Sequence, residues 1–201
     1  MTQSTERKRI LIVAGETSGD MYAAALVDEL ERLGEFEIFA VGGPQTAKRK
    51  VNLLYDSSDW AVIGYVEAIK RAPQLYLVLR DLKRFLEQRR PHLVLLLDYP
   101  GFNMRLAKHA KSLGIPTLHY FPPSKFATTP EEVADAASTL TCVAANFTFT
   151  YENYKAANAN VHFVGHPLVD LAKPTMSREE AFRTFGLDPA RPVVGLCPGS
   201  R

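Results

Sequence analysis

Four loops carry residue types that could do chemistry. Asp98 follows the apolar run Leu93-Val-Leu-Leu-Leu97 and precedes Tyr99-Pro100-Gly101-Phe102-Asn103. A carboxylate at the mouth of a buried strand is partly stripped of water, which suits it to general-base work. An acid that ties down loop N–H groups is the other reading, and Asn103 either caps the next helix or holds the loop. The loop Gly15-Glu-Thr-Ser-Gly-Asp20 follows the first apolar run. Its N–H groups at a helix start can hold an anion, and its glycines let a ligand come close. The alternative is a tight turn capped by Ser18 or Asp20. It is not a G-x-G-x-x-G fingerprint, a P-loop or a G-x-S-x-G elbow. Gly165-His166-Pro167 offers a ligand contact or a turn residue, and His119 at a strand end is read the same way. In Pro198-Gly-Ser-Arg201, N–H groups, the Ser200 hydroxyl and the Arg201 guanidinium could surround a phosphate.

These loops need strands and helices to position them. Apolar runs at 10–14, 35–41, 51–55, 92–97, 115–120, 140–144, 161–164 and 192–197 read as strands. Helical spacing covers 20–33, 61–90 with an interruption at Pro73, 103–113, 148–157, and two stretches opened by Thr129-Pro130 and by the Ser177–Glu180 capping box. Strands alternating with helices predict a doubly wound parallel α/β sheet, whose ligands bind beyond the carboxyl ends of the strands. Gly165–Thr175, with Pro167 and Pro174, is the best linker. The expected division is a first domain over 1–165 and a linker with the start of a second over 166–201.

The composition sets limits. The chain has 201 residues, 46% hydrophobic and 23% charged, with a net charge of +2. That balance argues against a nucleic-acid partner. Cys142 and Cys197 fit no metal spacing, and neither Asp-x-Asp nor His-Glu-x-x-His occurs. No metal or other cofactor is expected, and a reducing cytoplasm is the default compartment. The neutral balance hides an uneven distribution. Tyr65–Arg90 holds seven Lys or Arg against three acids. Its apolar residues outnumber what one core face needs, so it reads either as a membrane-surface helix or as a core helix with a solvated basic face.

The ordered motifs resemble the lipid-A-disaccharide synthase family, over essentially the whole chain. They are Ala14-Gly-Glu-Thr-Ser-Gly-Asp20, Val41-Gly-Gly-Pro44, Ala61-Val-Ile-Gly-Tyr-Val-Glu67, Asp98-Tyr-Pro-Gly-Phe-Asn103, His119-Tyr120 with Pro123-Ser124, Phe163-Val-Gly-His-Pro167 and Pro198-Gly-Ser-Arg201. The resemblance implies the N-terminal, Rossmann-like, acceptor-side domain of a two-domain GT-B glycosyltransferase. It implies an inverting, metal-independent hexosyl transfer. An acylated glucosamine moves from its UDP derivative to the 6-hydroxyl of an acylated glucosamine 1-phosphate, and UDP leaves. Asp98 is then the base and Arg201 stabilises the departing UDP. Glu16, Ser18, Gly19, Asn103, His166 and Ser200 are the expected substrate contacts. Val66, Ile69, Lys70, Arg71, Leu75 and Leu79 are expected at the inner face of the cytoplasmic membrane. A homodimer is left open. The chain is expected to be part of a longer one and inactive alone.

The sequence also departs from the family. Two tryptophans expected after His119-Tyr120 are replaced in Pro122-Pro-Ser-Lys-Phe-Ala127. Gly101 stands where relatives often carry a second acid, and Phe147-Thr-Phe-Thr-Tyr151 replaces Phe-Pro-Phe-Glu. These changes touch the acceptor more than the chemistry. A GT-B enzyme with another lipid acceptor, a sugar-nucleotide epimerase, and a non-catalytic flavodoxin-like module binding nucleotides or anions are the competing readings.

Overall fold

A computed structural model describes residues 7–60, 65–122 and 129–197, with the side chains of 65–70 left out of that description. Seven strands form one sheet: β1 Lys8–Ala14, β2 Phe36–Gly42, β3 Asn52–Asp56, β4 Leu93–Leu97, β5 Thr117–Tyr120, β6 Cys142–Ala145 and β7 Val161–Phe163. Their order is β3-β2-β1-β4-β5-β6-β7, and all neighbours are parallel. The helices between them are α1 Thr17–Leu33, α2 Pro44–Ala47, α3 Tyr65–Arg89, α4 Pro100–Ser112, α5 Pro130–Thr139 and α6 Thr148–Ala156. The doubly wound sheet expected from the alternation is therefore present.

The strand order reverses between β1 and β4. The chain runs outward from β1 through β2 to β3, then returns to start β4 on the other side of β1. Ala14 and Leu97 are register partners at the carboxyl ends of these two strands. The two segments that follow them must splay apart, which opens a crevice at this point. The loops containing Glu16 and Asp98 border it.

Strand alternation sorts the core into two faces. Leu11, Val13, Val94 and Leu96 pack with Val78, Leu82 and Leu86 of α3 and with Phe102, Leu106 and Ala110 of α4. Ile10, Ile12, Ala14, Leu95 and Leu97 pack with Tyr22, Ala23 and Val27 of α1. Each fully buried Leu or Ile contributes roughly 2 kcal/mol, so both faces hold the central strands firmly.

Two expectations need correction. α3 is not interrupted at Pro73 but runs through it. Pro73 is exposed and removes one backbone hydrogen bond. The burial of Val78, Leu79, Leu82 and Leu86 beyond it outweighs that loss. Residues 192–197 form no strand, and Val194 and Leu196 stand exposed. No strand among the described residues pairs with them, and an extended segment without a ladder is not a strand. The four-residue α2, Pro44–Ala47, follows directly on the end of β2 at Gly42. It forms because Asp20 binds its first N–H groups, a contact from 23 or more residues away.

Contacts divide the chain into two compact units, Met1–Gly165 and His166–Arg201. The second contains α7 Leu168–Leu171 and α8 Arg178–Thr184. Ser177 and Glu180 cap α8 reciprocally, as the sequence predicts. Thr129 and Glu132 do the same for α5 in the first unit.

Candidate active site

The crevice at the sheet's switch point brings the first loop and Asp98 together. Ser18 Oγ donates to Asp98 Oδ2 at 3.4 Å. A Cβ on Gly19 would stand 3.1 Å from that same oxygen, so glycine lets the carboxylate lie against the first turn of α1. The positive end of a helix favours a carboxylate there. Glu16 is the N-cap residue of α1 and makes no side-chain cap bond. The expectation of Ser18 or Asp20 as the cap of α1 is corrected. Both residues lie inside the helix, and their side chains point to other loops.

The turn that carries the acid is strained. Asp98 has φ 48° and Tyr99 φ 45°, two consecutive non-glycine residues in the left-handed region. Each such residue costs on the order of 1–2 kcal/mol. Packing offsets that cost. The Tyr99 ring fills the slot beside Gly15, where a Cβ would stand 2.6 Å from Tyr99 Cγ. Trp60 and Phe102 hold the ring from the other side, with centroids 6.1 and 6.0 Å away. Burial raises the Tyr99 pKa, with Glu16 adding to the rise and Arg71 opposing it.

Asn103 is fully buried. Its Nδ2 donates to the Leu97 carbonyl at 2.9 Å and to the Asp98 carbonyl at 2.8 Å. The expectation of Asn103 as a substrate contact is therefore corrected: a side chain without exposed surface holds the loop. His119 is also fully buried, and its Nε2 lies 3.4 Å from the Asp98 carbonyl oxygen. Burial lowers its pKa from 6.5 to about 4 against the opposing effect of that carbonyl. His119 is thus neutral at pH 7. Because a carbonyl only accepts, its proton sits on Nε2.

A stability consequence follows from His119. Its folded pKa is depressed, so its contribution is present above pH 6.5 and is lost as pH falls toward 4. At 1.36 kcal/mol per pH unit, the loss is about 3 kcal/mol. Urea midpoints at pH 7 and pH 4 should show it as a difference between wild type and His119→Gln. Parallel pH dependence in the two proteins would contradict it.

Other expected residues are placed differently. Leu79 is buried in the core and is corrected as a membrane-facing residue. Leu75 is half-buried against the same cluster, and Arg71 is also half-buried. The exposed apolar side chains on this part of α3 are Tyr76 and Leu77. Val66, Ile69 and Lys70 lie on α3, with side chains outside the described residues. Ser200 and Arg201, with the whole Pro198–Arg201 turn, lie outside them as well. His166 belongs to the second unit, where its Nδ1 accepts from the Leu168 N–H at 3.2 Å, a local turn bond.

A groove of about 390 Å³ runs between α3 and α4. Leu75, Tyr76, Tyr99, Phe102 and Arg105 are among the residues that line it. It shares Tyr99 with the crevice. No Cβ at Gly101, which also lines it, would meet an atom within 4 Å. Sequence reasoning missed this groove, the slot for Tyr99 and the role of Asp20. Only the pairing of two glycine-bearing loops with Asp-Tyr-Pro hinted at the slot. No helix among the described residues is long and apolar enough to cross a membrane.

A parallel sheet with an acid and a glycine-bearing helix start at its switch point makes this a doubly wound, Rossmann-like α/β domain. The model of the lipid-A-disaccharide synthetase family matches residues 10–201. The chain belongs to that family, as the motif resemblance implies. It is 44% identical over 195 residues to the lipid-A-disaccharide synthase of Geobacter metallireducens, covering 96% of this chain and 51% of that one. It is 42% identical over 202 residues to that of Geobacter sulfurreducens, covering 100% and 52%. The chain thus spans about half the length of the curated relatives it matches. A solved UDP-GlcNAc 2-epimerase from Neisseria meningitidis, bound to UDP-GlcNAc, overlays with a TM-score of 0.59 at 15% identity, covering 89% of this chain and 53% of that one. At that identity the likeness concerns the fold.

Proposed function

We propose that this domain serves the acceptor side of an inverting glycosyltransferase of lipid A synthesis, in a protein that supplies a second domain for the donor. The observation that carries the reading is the Asp98 carboxylate, held at the switch point of a chain in this family. In the proposed reaction the acceptor's 6-hydroxyl oxygen attacks the anomeric carbon of the UDP-linked acylated glucosamine. The bond from that carbon to the UDP oxygen breaks on the opposite face, which inverts the centre. Asp98 takes the hydroxyl proton, and UDP leaves with the bonding pair. Glu16 and Ser18 face the acceptor. Arg201 and Ser200 offset the charge on the leaving diphosphate without a metal, and His166 contributes to substrate binding.

The groove supports a lipid acceptor. An apolar channel that shares a wall with the catalytic turn can take an acyl chain, with Arg105 near the sugar phosphate. The basic residues of α3, with exposed Tyr76 and Leu77, support docking on the anionic inner face of the cytoplasmic membrane. Gly101→Leu tests the groove in a full-length family chain carrying this domain. The leucine should fill the channel and raise KM for the acylated acceptor about 10-fold or more, with kcat nearly unchanged. An unchanged KM would remove the groove from the acceptor site.

A further inference from the structure

Two buried side chains converge on a backbone atom of the proposed base. The Asp98 carbonyl accepts from Asn103 Nδ2 at 2.8 Å and faces His119 Nε2 at 3.4 Å. Asn103 also binds the preceding carbonyl, that of Leu97, with the same amide. The amide nitrogen reaches both successive carbonyls across the left-handed turn at Asp98, φ 48°. In an ordinary β or right-handed conformation the Asp98 carbonyl would swing away from both donors. Its carboxylate would then leave Gly19 and Ser18. The strain is therefore coupled to the aim of the side chain.

We infer that Asn103 and His119 are positioning residues, which clamp the Asp98 carbonyl and thereby point the Asp98 carboxylate at the first turn of α1. This rests on Asp98 being the base. Neither residue touches substrate, since neither has exposed surface. They come from different elements, Asn103 from α4 and His119 from β5, so the turn is fixed to the helix and to the sheet at once. Burial serves the clamp as well. It keeps the imidazole neutral, and the facing carbonyl, which can only accept, favours the tautomer with the proton on Nε2.

The geometry yields a discriminating substitution. A glutamine amide nitrogen stands where the histidine Nε2 stands, whereas an asparagine amide nitrogen matches Nδ1. His119→Gln keeps the donor, and His119→Asn displaces it. Misplacing a reacting group by about an ångström can cost 100-fold. In a full-length chain carrying this domain, His119→Asn should lower kcat 10- to 100-fold, with acceptor KM within about 3-fold of wild type. His119→Gln should stay within about 3-fold in kcat. The acid limb of the kcat/KM profile should move in the Asn variant and not in the Gln variant. Melting of both variants fixes an assay temperature at which each is folded. If His119→Asn does not fold, Asn103→Ser replaces it. That variant keeps one shorter donor and should lose kcat with KM held. Equal kcat and equal pH profiles in the displaced-donor and wild-type proteins would overturn the clamp. So would equal losses in His119→Gln and His119→Asn. Asp98→Asn run in parallel separates the two failures. If it keeps turnover, the base assignment fails. If it is inactive while His119→Asn matches wild type, only the clamp fails.

Discussion

Asp98→Asn is expected to lower kcat by about 100- to 10,000-fold in a full-length chain carrying this domain, the range that general-base catalysis supplies. The change is nearly isosteric. It leaves an oxygen for the Ser18 hydroxyl, and the asparagine amide fits against Gly19 as the carboxylate does. The backbone clamp on the Asp98 carbonyl is untouched, because it holds the main chain and not the side chain. Asparagine also tolerates the left-handed region, so the turn has no new reason to relax. The urea midpoint should therefore stay close to wild type while turnover falls. A fall in both would show that the carboxylate holds the fold. Unchanged turnover would show that another group takes the proton.

The largest stability effect should fall on a different acid. Asp20 is buried, and its carboxylate accepts from the Gly43 and Thr46 N–H groups through Oδ1 and from Gln45 through Oδ2, at 2.8–2.9 Å. Thr46 returns a bond from its hydroxyl to the Asp20 carbonyl. Asp20→Ala strands these N–H groups, two of them buried, at about 1–3 kcal/mol each. A total loss of about 4 kcal/mol is expected in urea unfolding. Asp20→Asn should lose less, since one oxygen still accepts. A loss below about 1 kcal/mol for the alanine variant would contradict the reading of Asp20 as the anchor of α2. Although Asp20 stands in the same motif as Ser18, its work is structural.

The two acids show what the sequence can and cannot express. Alternating apolar runs reveal the parallel sheet because each strand must be buried on both faces, and periodicity is local. The placement of Asp98 at a strand mouth is local too. The partnership of Asp98 with Gly19 and Ser18 follows from the crossover between β1 and β4, which no spacing encodes. Asn103 looked like a ligand contact because an amide near a loop start fits either role, and burial decides between them. Leu79 and Leu75 share a basic, apolar helix, but only the packing of α3 on the sheet shows that Leu79 turns inward. The 192–197 run has the composition of a strand, yet a strand also needs a neighbour. Tyr99 was legible only as part of a motif. Its left-handed backbone and its fit beside Gly15 are tertiary facts.

Inverting transfer to a lipid acceptor at the Asp98 crevice is the proposed reaction. NMR can follow one turnover of a full-length chain carrying this domain, with UDP-linked acylated glucosamine and acylated glucosamine 1-phosphate as substrates. One UDP should appear per disaccharide formed, with the new linkage inverted at the anomeric carbon, and none without the acylated acceptor. Retention at the anomeric carbon, or UDP release that ignores the acceptor, would contradict the account.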